Sequence, residues 1–259
     1  MLFEVRGRLS QRNDTLISVA ALSGLVMVWC LCTYGGFVRP MFFPSPSGIW
    51  EGLASLYERG WLLAAVGRSF LRVTVALVVV VAVGVPIGVL MGAFAPIDAG
   101  LRKIFNGVKS VPVTGLVALV VLWFGIDEMG KIAYLFMGAF FYIAILTKNA
   151  VRSVSEDYVR VARDIVVSRR QAVMRVLLPG AMPQIWDAIA VCNGIMWTYI
   201  VLAEFVCSNE QQLGLGYLLK MGSQLQKSGE VFGVLIIIAS VSSLTDYILH
   251  LVRRRFFNW

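Results

Sequence analysis

Six side chains able to bind or relay charge sit in or beside stretches that are otherwise apolar: Arg68, Arg72, Asn193, Thr198, Tyr199 and Glu204. A carboxylate in an apolar run is costly, and such groups face a helix bundle or a wet cavity rather than lipid. Glu204 has two readings. It lines or gates a solute path, or it forms a structural pair with Arg68 or Arg72, which fall at the same expected depth. For an anionic solute, Arg68 and Arg72 are better ligands than Glu204. Asn193, Thr198 and Tyr199 can hydrogen-bond a solute in transit or tie helices together. The sequence has no GxxxxGK[ST] phosphate loop, no HExxH and no intramembrane aspartate pair, so no catalytic residue is assigned and the chain is not expected to bind ATP itself. His250 is the one histidine, and Cys30, Cys32, Cys192 and Cys207 show no CxxC spacing. Neither a metal site nor a disulfide framework is expected.

The elements that must position these groups follow from composition. Of 259 residues 58% are hydrophobic, and the mean hydropathy is +0.78. A soluble domain is about 45–50% apolar, so an all-α integral membrane protein is expected. A span needs about 20 apolar residues. Six candidates run over 15–34, 69–94, 112–124, 129–146, 185–206 and 231–252, the third interrupted at its start by Pro112 and Gly115. The first is full length, so it reads as an uncleaved span and not a signal peptide. The net charge is +8. With the N-terminus inside, most lysines and arginines fall in cytoplasmic segments, as the positive-inside rule asks. Both termini are then cytoplasmic.

Between the first two spans, Pro40, Pro44 and Pro46 break any helix. Ser47 can cap a new one, in which Ile49, Trp50, Leu53, Leu56 and Tyr57 repeat at helical spacing. This predicts an amphipathic helix on the outer surface. Gly84, Gly88 and Gly92 form a small-residue ladder suited to close helix packing. Met137, Phe140, Phe141 and Tyr142 read as packing. Asp187 and Asp246 are expected near the cytoplasmic face, neutralised by arginines. The outer segment 208–230 is polar at both ends and apolar between, and is expected to dip partly into the membrane.

The largest cytoplasmic segment carries two start signals. Ser153 stands three before Glu156, with Ser155 as the alternative cap, and Ser168 stands three before Gln171, a second capping-box spacing. Glu156, Arg160 and Asp164 form i,i+4 opposite-charge pairs. Two short helices over 156–165 and 169–178 are predicted, meeting at Val166–Val167. Pro179 is expected to end the second and Pro183 to start the fifth span. The second helix has an apolar face of Ala172, Val173, Val176 and Leu177, with Arg169, Arg170 and Arg175 pointing elsewhere. A stiff pair of this kind is either a lever between a cytoplasmic partner and the bilayer or a surface pair on anionic headgroups.

VARDIVVSRRQAVMRVLLPGAMPQI resembles the EAA loop of permeases from binding-protein-dependent ABC importers. Ala162 matches the second alanine, and Leu178, Pro179 and Pro183 match its end. KSVPVTGLVALVVLWFGIDEMGK, with Trp123-Phe124-Gly125, resembles a third-span signature of the nitrate/sulfonate/taurine-type branch. VGVPIGVLMG, AEFVCSNEQQLGLGYL and MFFPSPSGIW resemble its second span, fifth-span exit and outer-helix entry. The similarity covers roughly residues 40–250. The sequence departs from the pattern at Arg160 (glutamate in the family), Val161 (alanine), Val166 (glycine) and Ala118 (proline).

The resemblance implies a type I importer permease fold of six transmembrane helices with an external amphipathic helix and a cytoplasmic coupling-helix pair. Residues 1–59 would hold the tail, first span and outer segment, and 60–259 the permease core with the EAA-like loop at 152–184. It implies a dimer with a second permease subunit, taken as a homodimer, enclosing the path. It also implies two cytoplasmic ATPase subunits that carry ATP-Mg, a periplasmic or lipid-anchored binding protein that delivers solute, and a location in a bacterial inner membrane. Arg160, Ala162, Arg163, Val166, Val167, Ser168, Arg169, Arg170, Gln171 and Pro179 become candidate ATPase contacts. Arg72, Asn193, Thr198, Tyr199 and Glu204 become candidate path residues. The implied solute is a small anion such as nitrate, bicarbonate, a sulfonate or taurine. The rival readings are a secondary transporter, which would show paired broken helices in inverted halves, a permease for a vitamin precursor or other small solute, and a membrane-embedded enzyme.

Overall fold

The computed structural model describes residues 11–164, 168–207 and 210–257, and every regular element among them is a helix. Five helices are long and apolar enough to cross a membrane, or six if one bent pair counts as a span. The end of the bundle read as outside from the charge pattern is called the outer end below.

Helix α1 (Gln11–Tyr34) stands at the periphery, with none of its apolar window buried in the subunit. Near its outer end the Trp29 indole N–H donates to the Pro44 carbonyl at 3.0 Å, and the Tyr34 hydroxyl donates to Ser47 at 3.1 Å. Helix α2 (Pro46–Glu58) is capped by Ser45, not Ser47: Ser45 Oγ accepts from the Gly48 N–H at 3.2 Å. Pro46 therefore opens the helix instead of breaking it, because an N1 residue has no intrahelical use for its N–H. Ile49 and Leu56 are buried, while Trp50 and Tyr57 are exposed.

Helix α3 (Trp61–Ala93) begins eight residues before the expected span. Gly60, at φ +71°, allows the left-handed turn that joins it to α2. Its inward face carries the glycine ladder. A Cβ on Gly88 would lie 2.6 Å from the Ala144 carbonyl oxygen and from Thr147 Cβ, and one on Gly92 would lie 2.6 Å from Val151 Cβ. A Cβ on Gly84 would collide with Ile143. The ladder thus lets α3 approach backbone-close to α6 (Glu128–Arg152).

Between them the expected third span resolves differently. Helix α4 (Ala95–Lys109) and helix α5 (Val113–Phe124) meet at 97°. Pro112 stands at the joint, where proline disfavours a helical conformation for the residue before it. Twelve residues rise about 18 Å, short of the roughly 30 Å hydrocarbon, so α5 does not cross alone. Phe105 of α4 packs on Phe140 and Phe141 of α6. At this inner end Asp98 is 2% exposed and meets Arg152 at 2.8 Å, Lys148 at 3.5 Å and Arg102 at 3.8 Å.

Helix α7 (Glu156–Asp164), the short α8 (Arg169–Ala172), a π turn over Val173–Leu177 and α9 (Leu178–Val206) follow. From Arg169 to Val206 the path is continuous helix. Two expectations are corrected here. Pro179 does not end a helix, and Pro183 lies inside α9 rather than at its start. The wider π turn, in which the Leu178 N–H reaches the Val173 carbonyl, changes the hydrogen-bond register just before Pro179. Prolines and π turns bend helices without breaking them.

Helix α10 (Leu215–Gln224) folds back into the outer end, with Leu215, Gly216, Tyr217, Leu218 and Leu219 buried. Helix α11 (Ser228–Phe256) returns through the bundle. It meets α2 closely, since a Cβ on Gly52 would lie 2.6 Å from the Gly229 carbonyl carbon.

Candidate functional site

Two sites emerge, one at each end of the bundle. In the inner one, Ser168 and Gln171 form the full reciprocal capping box: the Gln171 N–H donates to Ser168 Oγ at 3.3 Å, and Gln171 Oε1 accepts from the Ser168 N–H at 3.0 Å. The other cap is Ser155, whose Oγ accepts from the Asp157 N–H at 3.3 Å. Ser153 instead caps the end of α6 and donates to the Ala150 carbonyl at 2.8 Å. Arg160 pairs with Glu156 at 3.6 Å on an exposed face. Arg169, Arg170, Arg175 and Tyr158 are exposed, while Val173, Val176 and Leu177 are half-buried. A cavity of about 520 Å³ opens between α7 and the start of α9, lined by Val154, Ser155, Tyr158, Arg175, Val176 and Pro179. Val166 and Val167, with the joint placed there, lie outside the described residues, as do the side chains of Ala162 and Arg163.

The outer site is a charge network spanning α3, α6, α9 and the segment before α10. Glu204 is fully buried. It accepts from Arg72 Nη1 at 2.7 Å, from Ser69 Oγ at 2.7 Å and from the Gly216 N–H at 2.9 Å. Arg72 Nε and Nη2 grip Glu128 at 2.6 and 2.5 Å in a bidentate fork, the geometry in which a guanidinium best matches a carboxylate. Lys131, with no exposed surface, donates to Glu128 at 3.1 Å and to Gln212 Oε1 at 2.7 Å. Of the two partners open for Glu204, Arg72 is the one used. Arg68 donates to the Gln211 carbonyl at 2.6 Å. Gly125, at φ +73°, makes the tight turn from α5 into α6 that brings Glu128 under Arg72.

The five candidate path residues do not converge on one surface. Arg72 and Glu204 meet at the outer end. Asn193 faces α11, donating to Thr245 at 2.9 Å and to Asp246 at 2.8 Å. Thr198 is exposed and donates to the Gly194 carbonyl of its own helix at 3.2 Å. Tyr199 packs edge-on to Tyr134 and covers Gly138. Asp187 pairs with Arg253 at 2.9 Å as expected. Asp246 differs: the group that reaches it is the Asn193 amide, because α11 carries Asp246 about two turns short of its terminal arginines.

Sequence reasoning missed Ser69, Asp98, Glu128 and Lys131. Lys131 offered a signal, being a lysine at the mouth of a greasy run, where an unpaired ammonium is costly. Glu128 stands three residues before it, at pairing distance on a helix.

Residues 84–258 match the family model described as binding-protein-dependent transport system inner membrane component. The chain is similar to the taurine transport system permease of Escherichia coli (strain K12), 28% identical, with 95% of this chain and 90% of that one covered. It is similar to a putative aliphatic sulfonates transport permease of Bacillus subtilis (strain 168), 30% identical, covering 91% and 84%. A bicarbonate transport system permease of Synechocystis is 24% identical, covering 91% and 86%. Among solved structures, a chain of the inward-facing MetNI methionine ABC transporter has a TM-score of 0.68 at 20% identity, covering 75% of this chain and 95% of that one. A chain of a bacterial alginate ABC importer has a TM-score of 0.62 at 17% identity, covering 95% and 97%. These two likenesses concern the fold. The family match and the near full-length relatives together establish that this chain belongs to the inner membrane components of binding-protein-dependent ABC transport systems, in their nitrate/sulfonate/taurine-type branch.

Proposed function

We propose that two copies of this permease enclose a path for a small anion, a sulfonate, taurine, bicarbonate or nitrate, and that the 152–184 loop couples the path to two cytoplasmic ATPase subunits. A substrate-binding protein delivers the solute at the outer end, and both termini lie in the cytoplasm of a bacterial cell. The solute class rests on the relatives named for taurine, sulfonates and bicarbonate. The secondary-transporter and enzyme readings have no support.

The observation that carries the coupling is the continuous helix from Arg169 to Val206. A helix transmits displacement along its axis. A push on the capped start at Ser168 therefore reaches Glu204 with no flexible loop between them. Arg169 and Arg170, exposed on the first turn, suit acidic or carbonyl groups on the ATPase.

Single cysteines replacing Val167 or Arg170 should crosslink to the ATPase subunit in the assembled transporter. Charge reversal at Arg169 and Arg170 to glutamate should weaken docking while binding-protein delivery outside stays intact. If those cysteines label freely from the cytoplasmic side and crosslink to nothing, the coupling assignment fails and the headgroup-bound reading replaces it.

A further inference from the structure

The outer network is uneven in a way that points to a ligand. Glu204 is locked by Arg72, Ser69 and the Gly216 N–H, with no exposed surface. Arg72 and Lys131 are buried as well, 4% and 0% exposed. Among the described residues the fully buried set is thus two cations against one anion, an excess of one positive charge. Glu128 neutralises that excess, yet its side chain is 50% exposed. It reaches in from the first residue of α6, just after the three-residue turn that starts at Gly125. Beside it opens a cavity of about 370 Å³, lined by Arg68, Leu71, Arg72, Glu128, Gln211 and Gln212, within the size range of small-molecule sites.

We propose that the seat formed by Arg72 and Lys131 is an anion-binding site at the outer mouth, for a sulfonate or carboxylate group, with Glu128 as its built-in competitor. The Glu128 carboxylate places one oxygen between Arg72 Nη2 and Lys131 Nζ and the other on Arg72 Nε. Two oxygens of a sulfonate fit the same guanidinium fork. Displacing Glu128 needs only a side-chain rotation into the cavity, where water takes over its solvation. Arg68, at the rim, adds positive potential that draws an anion in. Asp127 opposes it, but its carboxylate is engaged by the Gln212 amide at 3.3 Å and does not reach Arg72. Because the seat is occupied in the absence of solute, binding is weak until Glu128 leaves, so the site would hand a solute on instead of trapping it. The site rests on the reading above that the solute is a small anion.

The test uses the permease–ATPase complex in nanodiscs without binding protein, with ethanesulfonate as probe and ligand-observed NMR as readout. Glu128→Gln keeps an acceptor for Arg72 but removes the competing charge, and should tighten ethanesulfonate binding at least tenfold over the unsubstituted protein. Adding Lys131→Met to Glu128→Gln should abolish the gain. Ethylammonium should bind to neither. Thermal melting of each variant confirms that it is folded. The site is overturned if Glu128→Gln binds ethanesulfonate no better than the unsubstituted protein, if the gain survives Lys131→Met, or if ethylammonium binds equally well. Uptake by the complete importer separates the two readings. Import of a sulfonate with no binding gain in Glu128→Gln defeats the site alone. A binding gain in an importer that carries only uncharged or cationic solutes defeats the small-anion reading alone.

Discussion

The carboxylate of Glu204 accepts the backbone N–H of Gly216 at 2.9 Å, so a side chain from the last turn of α9 holds the main chain of the first turn of α10. A Cβ on Gly216 would lie 2.7 Å from Glu204 Cβ, which explains the Gly-Leu-Gly that follows the glutamate. Removing the carboxyl group leaves the buried Ser69 hydroxyl and Gly216 N–H without this acceptor, at about 1–3 kcal/mol for each unsatisfied group. Glu204→Ala should therefore lower the melting temperature of the purified complex far more than Glu204→Gln, which still accepts from Ser69 and Gly216. In a double-mutant cycle with Arg72→Met, the combined loss should be clearly smaller than the sum of the single losses. Additive losses would mean that the pair contributes nothing.

Gly88 has backbone, not a movable side-chain end, in the way of any Cβ. Overpacking of this kind costs about 1–3 kcal/mol even for one added group. Gly88→Ala should reduce the yield of folded complex on size-exclusion chromatography, and Gly88→Leu should nearly abolish it. At Gly100, where a Cβ meets nothing within 4 Å, alanine should leave the yield unchanged.

Pro179 interrupts hydrogen bonding in an otherwise continuous helix, and proline in a helix interior costs about 3 kcal/mol. Pro179→Ala should raise the melting temperature, since alanine restores a backbone N–H that proline lacks. The stiffer and differently bent segment should lower solute uptake per ATP hydrolysed several-fold. Unchanged coupling would show that Pro179 has no part in transmission.

Cys207 is 1% exposed, and burial raises its thiol above the ordinary range against the weaker opposing pull of Lys131 and Lys220. The thiolate is the reactive form. A raised value moves the onset of reactivity to higher pH. In folded protein near pH 8, maleimide should therefore leave Cys207 unmodified, and labelling should appear on unfolding in detergent. Rapid labelling of Cys207 at neutral pH would place the thiol in contact with water.

Apolar length made the long helices legible, because a span needs one thing, sustained apolarity, and a single sequence displays it. The capping box at Ser168 and Gln171 was legible for a similar reason: both partners lie within one turn. The glycine ladder announced a close approach without naming its partner. What could not be read were pairings set by tertiary packing. Asp98 meets Lys148 and Arg152 from a helix that lies about fifty residues earlier. Glu128 meets Arg72 only because Gly125 turns the chain there. The proline errors have a local cause. Pro179 and Pro183 are helix breakers by propensity, but a π turn is invisible in composition and supplies the slack that lets the helix run on.

Helix α1 is fastened near one end. Trp29 holds it to the loop before α2 and Tyr34 to the first turn of α2, while Leu16, Leu22 and Leu25 are exposed. It therefore behaves like an outrigger: moored near one end by these two bonds, with none of its apolar window buried against the rest of the subunit. Rearrangements of α3, α6 and α9 need not drag it along. Bulky fusions ahead of residue 11 should ride on it without disturbing the machinery they are attached to.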